Sequence, residues 1–446
     1  MRSRFLTLLI LLVGLWGQGA GGQGISLGAL QGGPGGQPQG VIVRTNLRLL
    51  GLENLCLLVG CRVVEKLDGT LGELFLVEPP LGLDPNTFAV LLRLLSGILD
   101  AEVDQLLSLL PPISLTAAIP PGLTDSTPVN YYGSIVWDGY ADQPAAELIH
   151  LPEAQSTFHV TGAGVVADID TGVDPNHPAL SGVLLPGYDF TRNRSGGSEM
   201  ADLTQPVDMD CNPCQAADVN QSTAAMLDQS TAAMLDGTAY AAFGHGTMVA
   251  GVIHLVAPTA RIMPLKAFYA NGTGNLSDIL RAIYYAVRNN ASVINMSFDL
   301  RVNSYELSHA INYSAGHNVI NVASAGNDGK QEMVYPAGLA NVMGVASTND
   351  FGQRSNFSNY GDQIVWVAAP GEGIITTYPF GTYAAGWGTS FSAPFVAGTG
   401  ALLVNLEPHC DQEQAAAAVS HAQWIGPGMG NGLLNIDSSL SASDRD

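Results

Sequence analysis

Hydrophobic and polar positions divide the chain into two regions of different rhythm. In the first, apolar residues come in short runs: Val41-Ile42-Val43 before Arg44, then Val63-Val64, then Leu74-Phe75-Leu76-Val77. Runs of this length between turn residues predict strands, and Asp68-Gly69 predicts the turn between the last two. Residues 47–61 and 87–95 carry apolar side chains at helical spacing and predict helices. Residues 98–110 predict a last strand. The order strand, helix, strand, strand, helix, strand is that of a small α+β module of the split-βαβ, ferredoxin-like kind. Pro111-Pro112 ends it, and the polar, Pro-rich stretch that follows reads as a linker.

From about residue 130 the pattern changes. Val165-Val166-Ala167-Asp168-Ile169 is a nearly continuous apolar strand, and further strands are predicted at 261–268, 293–298, 319–325, 342–346 and 364–368. Helical segments lie between them. Ser277 is placed to cap one that carries Ile279, Leu280, Ile283 and Val287; Leu307, Ile311 and Ala315 mark another, with Gly316 as its stop. Strands alternating with helices predict an α/β fold, a parallel sheet with helices on both faces. Residues 182–243 break this rhythm. They are polar and turn-rich, and contain Gln-Ser-Thr-Ala-Ala-Met-Leu-Asp twice, at 221–228 and 229–236. Two short copies are too few for a solenoid, so the stretch reads as a surface insertion. Its Asp202, Asp208, Asp210 and Asp218 read as a solvated acidic loop, with cation binding as the alternative.

Composition narrows the partners. The chain has 446 residues, 46% of them hydrophobic and 13% charged, which implies a globular protein with a large core. A net charge of −22 argues against nucleic acid and anionic membrane. Arg2 and Arg4, an apolar run at 5–16 and small residues after it read as an export signal over 1–22, followed by a flexible Gly/Pro/Gln-rich leader over 23–39. The expected location is therefore secreted or periplasmic. No later stretch reads as a membrane span once the signal is gone; 402–406 is too short and is closed by Glu407-Pro408. Five cysteines are few. Cys56 and Cys61 lie close together, Cys211 and Cys214 form a lone C-x-x-C, and Cys410 stands alone; a local disulfide and free thiols both remain open, and zinc is weakly indicated.

Four polar signatures sit at the ends of predicted elements: Asp170-Thr171-Gly172 after a strand, Gly244-His245-Gly246-Thr247 before a helix, Ala325-Gly326-Asn327-Asp328 after a strand, and Gly388-Thr389-Ser390-Phe391-Ser392-Ala393-Pro394 opening an apolar helix. Pro394 is expected in that helix's first turn, where its missing N–H has no partner to lose. Ser390 would lie at the helix N-terminus, where free N–H groups favour negative charge. Open α/β sheets place ligands at the carboxyl ends of their strands. Singly, each residue fits a cap or a turn; together, an Asp, a His, an Asn and a Ser in glycine-rich settings at these positions make those readings hard to sustain.

These motifs resemble those of the subtilisin-like serine peptidases (subtilases), over roughly residues 145–440, and Asp, His, Ser is the chain order of that family. The resemblance implies roles. Ser390 would be the nucleophile, His245 its base and then its acid, and Asp170 the group that orients the imidazole. Asn327 would donate to the oxyanion. Ser297, Phe298 and Asp299, after Asn295-Met296, with Ala325 and Gly326, would bind the substrate backbone. Residues 40–112 resemble the family's inhibitory and folding propeptide, which makes the chain a zymogen: linker at 113–130, peptidase domain at 131–440. Its partners would be protein or peptide substrates and its own prodomain.

The chain also departs from the family pattern. His177-Pro178 is followed by Ala179-Leu180, without the acidic residue that often serves the family's strongest calcium site, and residues 251–258 run from the histidine helix to Ala257-Pro258 without the loop that completes it. That calcium site is expected to be absent, other calcium sites are left open, and no metal or cofactor is expected for the chemistry. Asp299 stands where glycine is frequent beside the groove; it reads as a rim charge, with selection of a basic side chain as the alternative. An aspartic peptidase would need a second Asp-Thr-Gly, and there is none. A non-catalytic scaffold keeping the fold predicts loss of one of the four residues, and none is lost.

Overall fold

A computed structural model of the chain describes residues 40–109, 119–203 and 240–443, together with the backbone alone of 217–218 and 223–226. The signal and leader readings, most of the tandem repeat, Cys211, Cys214, Asp208 and Asp210 lie outside the described residues.

The N-terminal module holds a four-stranded antiparallel sheet in the order Arg62–Lys66, Leu74–Glu78, Val41–Thr45, Ile98–Val103. Alternate residues face opposite ways. Val41, Val43, Phe75 and Val77 pack on Leu52, Cys56, Phe88 and Leu92 of the helices Arg48–Val59 and Pro85–Leu92. Ile42, Leu74 and Leu76 turn the other way and join the core of the larger domain. Burial on both faces explains why these strands read as unbroken apolar runs. Cys56 and Cys61 form a disulfide, which resolves one of the open cysteine readings; Cys410 is a buried free thiol.

The larger domain is built on eight strands in the order Arg194–Ser195, Tyr188–Asp189, Arg261–Lys266, Val165–Asp170, Val293–Met296, Ile320–Ser324, Met343–Thr348, Val367–Pro370. All pairs are parallel except the first. Helices His245–Val256 and Thr389–Leu406 cover one face, with Val166, Val293, Ile320 and Val322 beneath them. Leu276–Arg288 and Tyr305–Ala315 cover the other, over Ala167, Ile169 and Ile294. The fold is α/β, as the alternation of elements predicts. The first two helices pack closely because Gly398 has no side chain: a Cβ there would lie 2.5 Å from that of Val256. Among the described residues one helix, Thr389–Leu406, is long and apolar enough to cross a membrane; it is the core helix, and all but its last two residues are buried.

Several local expectations are corrected. The strand expected over 98–110 is two, Ile98–Val103 and Leu106–Ser108, because at Asp104 the chain leaves the module's sheet for the larger domain. Ser277 is inside its helix, whose N-cap is Asn275; the Asp104 carboxylate accepts from the Ser277 N–H at 2.8 Å and from its hydroxyl at 2.7 Å. The cap is supplied by a residue far away in sequence. Gly316 does end its helix, as expected, but as a C-cap at φ −65°; the left-handed residue is Asn318, at φ 61°, two residues later. The last sheet strand begins at Val367, since Ile364 and Val365 pack instead into a side cluster with Met429. Finally, the expected surface insertion is built into the fold over 182–203. Its two short strands extend the sheet, and Glu199 and Asp202 are fully buried. Asp202 is no solvated loop residue: its carboxylate pairs with Lys266 at 2.8 Å and with Arg192. The backbone of Thr223–Met226, inside the first copy of the repeat, pairs antiparallel with Thr382–Trp387.

Candidate active site

Asp170 ends its strand on the face covered by the histidine helix, and His245 is that helix's first residue. Their side chains meet: His245 Nδ1 lies 2.8 and 2.9 Å from the two Asp170 carboxylate oxygens. An acceptor at Nδ1 fixes the imidazole as the Nδ1–H tautomer or the cation, so that Nε2 is the nitrogen turned away from the aspartate. His245 Nε2 is buried and has no hydrogen-bond partner among the described residues. The His245 ring lies 5.8 Å from that of Phe391, the residue after Ser390.

The Ser390 hydroxyl donates to the Ser297 carbonyl at 3.0 Å, not to His245. The Ser297 hydroxyl returns the contact, donating to the Ser390 carbonyl at 2.9 Å. This pair corrects the expectation for Pro394, which lies in the second turn of Thr389–Leu406. A residue there would normally donate its N–H to the carbonyl four residues earlier, that of Ser390. Proline cannot, and the Ser297 hydroxyl takes the freed carbonyl. The serine's backbone is thereby held to the end of strand Val293–Met296. Behind it, Asn295 Nδ2 donates to Ser297 Oγ and to Asp168 Oδ1, both at 3.0 Å. Asp168 was missed as a site residue because it reads as one polar position in an apolar strand. Burial and then the charge of Asp170 hold its carboxyl well above the usual carboxylate range.

Asn327 approaches from the other side. Its Oδ1 accepts from the Thr389 N–H at 2.8 Å and from the Thr389 hydroxyl at 3.0 Å. An N–H partner must face oxygen, so the amide nitrogen points the other way. That Nδ2 is buried with no partner among the described residues, a condition costing about 1–3 kcal/mol that an incoming oxygen would relieve. Histidine, asparagine and Ser297 thus flank the same turn of the serine helix. Ala325 is buried, and Gly326, at φ 92°, donates its N–H to Thr389 Oγ1 at 3.2 Å. Phe298 points into the core against Phe268. Asp299 is not a rim charge: it is 1% exposed, with Oδ2 3.3 Å from where a Cβ on Gly326 would sit.

One groove wall was not read from the sequence. Leu106–Ser108, leaving the N-terminal module, pairs antiparallel with Thr273–Asn275, and Leu109 donates its N–H to the Gly272 carbonyl at 2.7 Å. Leu107 and Leu109 are buried against the larger domain. Thr273-Gly274-Asn275 is polar and contains glycine, so hydrophobic patterning gives no strand signal there.

Among the described residues no group of three or more His, Cys, Asp or Glu side chains is arranged to hold a metal ion. His177 accepts from the Ala179 N–H at Nδ1 and donates from Nε2 to the Thr382 carbonyl, which makes it a structural link.

Residues 162–437 match the Subtilase family. The chain is 34% identical over 263 residues to thermitase of Thermoactinomyces vulgaris, covering 59% of this chain and 82% of that protein. It is 35% identical over 260 residues to a thermophilic serine proteinase of Bacillus sp. (strain AK1), covering 57% of each, so it spans little more than half the length of that relative. Fervidolysin from Fervidobacterium pennivorans, described as a keratinolytic enzyme related to subtilisin, shares the fold with a TM-score of 0.68 at 23% identity, over 91% of this chain and 61% of that one. The match takes in the sheet, both helices that carry polar site residues, and Asp170, His245, Asn327 and Ser390. On fold and sequence together, the chain belongs to the subtilase family.

Proposed function

We propose that this chain is an exported subtilisin-like serine endopeptidase made as a zymogen. The observation that carries the reading is the convergence on one helical turn of a carboxylate-held imidazole and an unpartnered amide donor. Ser390 Oγ turns from the Ser297 carbonyl towards His245 Nε2 and attacks the scissile carbonyl carbon as its proton passes to Nε2. The Asn327 Nδ2–H and the Ser390 backbone N–H hold the oxyanion, and Asp170 stabilises the imidazolium. The proton then goes from Nε2 to the leaving amine, which departs and leaves an acyl-Ser390 ester. Water, deprotonated by the same nitrogen, releases the acid and restores the serine.

The N-terminal module acts as the prodomain. Its tail lies along Thr273–Asn275 as an added strand, the mode in which an extended peptide binds a sheet edge. A cut between the module and the peptidase frees the groove. Labelling with a serine-directed fluorophosphonate tests the chemistry: the processed protein should label and Ser390→Ala should not. The same variant, purified alone, should remain an uncut precursor. A folded, processed wild type that does not label would overturn the proposal.

A further inference from the structure

The segment expected to be a surface insertion places a carboxyl group against both sides of the Asp170–His245 pair. Glu199 is fully buried. Its Oε2 accepts from the Gly244 N–H at 2.7 Å, and Thr247 Oγ1 donates to its Oε1. These two residues bracket His245 in the helix's first turn. The N-cap of that helix is Gly244, which has no side chain to cap it, so its free N–H groups are met from outside. On the other side, Thr171, next to Asp170, donates to Glu199 Oε2 at 3.4 Å while its own oxygen accepts from the Gly246 N–H at 3.0 Å. The fit is tight: a Cβ on Gly172 would lie 2.8 Å from the Glu199 nitrogen. We propose that Glu199 is a positioning residue for the Asp170–His245 pair, locking the first turn of the histidine helix to the aspartate loop. The inference rests on the peptidase reading above.

The charged and titratable groups facing it come from every neighbouring element. Asp168 and Asp170 lie on the aspartate strand, His245 on the helix, Lys266 and Tyr378 on two other strands, and Asp202 on its own segment. Burial pushes the Glu199 carboxyl up to about 8, against the pull of Thr247, Gly244 and Lys266. Glutamine keeps the length of the side chain and an oxygen that can accept from Gly244, so it is the conservative replacement.

The test uses two readouts. In the Ser390→Ala precursor, which needs no turnover, the low-field proton NMR resonance of the His245–Asp170 hydrogen bond reports the pair directly. Adding Glu199→Gln should leave it in place; adding Glu199→Ala should broaden or move it. In the active enzyme, Glu199→Ala should lower kcat about 100-fold with KM nearly unchanged, as expected for a misplaced catalytic group, and Glu199→Gln should restore most of it. Should Glu199→Ala fail to fold, Glu199→Asp, one methylene shorter, replaces it with the same expectation. An unchanged resonance and unchanged kcat in the Ala or Asp variant would overturn the proposal. So would equal losses in the Gln and Ala variants. A wild type without activity but with the resonance intact and sensitive to Glu199→Ala would instead count against the peptidase reading alone.

Discussion

Arg44, in the first strand of the module, forms a buried ion pair with Glu306 at the start of helix Tyr305–Ala315. Its Nε lies 2.9 and 3.1 Å from the two carboxylate oxygens, Nη2 lies 2.5 Å from one of them, and Tyr284 adds a hydroxyl at 3.3 Å. The two side chains are 6% and 0% exposed. Burial disfavours the guanidinium charge, yet Glu306 outweighs it and the Arg44 pKa is raised. Arg44→Ala would leave the Glu306 carboxylate buried opposite nothing. Removing one partner of a buried pair costs about 3–5 kcal/mol. When the module leaves, Glu306 meets water, so this cost falls on docking and not on the enzyme. The expected weakening is roughly two to four orders of magnitude, at the lower end if water enters the space left by the arginine. The assay is inhibition of the processed enzyme by the separately produced module, residues 40–110. The double variant Arg44→Ala/Glu306→Ala, with no charge left buried, should recover most of the loss, and Glu306→Ala should leave kcat unaltered. A change under about threefold in the Arg44→Ala inhibition constant would refute the reasoning, as would a double variant no better than the single.

Other outcomes follow from the same geometry. Asn327→Ala, which deletes the unpartnered donor, should lower kcat about 100- to 1,000-fold with little change in KM; a loss confined to KM would remove Asn327 from the oxyanion role. Glu102 and Asp104, which cap helices Tyr305–Ala315 and Leu276–Arg288 from the module's edge, are pushed by burial up to about 7 and about 6. Both values lie above the ordinary carboxylate range, so docking is fully favoured in acid and weakens as pH rises through 6 to 7. The fraction of cleaved module still bound on size-exclusion chromatography should therefore fall between pH 5 and pH 8, and a rise would contradict the sign. Asp299→Ala should lower the preference for arginyl over phenylalanyl peptides about 30-fold, since two unit charges ~8 Å apart at an effective dielectric of ~20 interact by about 2 kcal/mol. An unchanged ratio of kcat/KM values would exclude Asp299 from selectivity.

Much of the fold is legible in local pattern because each element carries its own signal. The strands at 41–44 and 165–169 announce themselves by apolar runs, and the serine helix by its long apolar stretch after a glycine. Asp170, His245, Asn327 and Ser390 stand out for a related reason: each lies at the end of an element in a glycine-rich setting. Where the pattern misleads, a distant group satisfies a local need. Pro394 lies deeper in its helix than expected because Ser297 takes the carbonyl it frees. Ser277 is no cap because Asp104 caps the helix from 173 residues away. Residues 182–203 look like a solvated insertion because nothing local shows that Lys266, from a distant strand, will pair with Asp202 or that Glu199 will be buried.

The sequence by itself therefore determined the main strands and helices of the parallel sheet, the α/β class, and the four polar residues proposed to carry the chemistry, since these depend on neighbours within a few positions. Tertiary structure alone decided which groups hold them. It brought Glu199 under the histidine helix, Thr273–Asn275 beside the chain's own tail, and Arg44 onto Glu306 across 262 residues of sequence. A buried carboxylate and a solvated one are the same letter, and only the closing of the chain on itself removes the water from one of them.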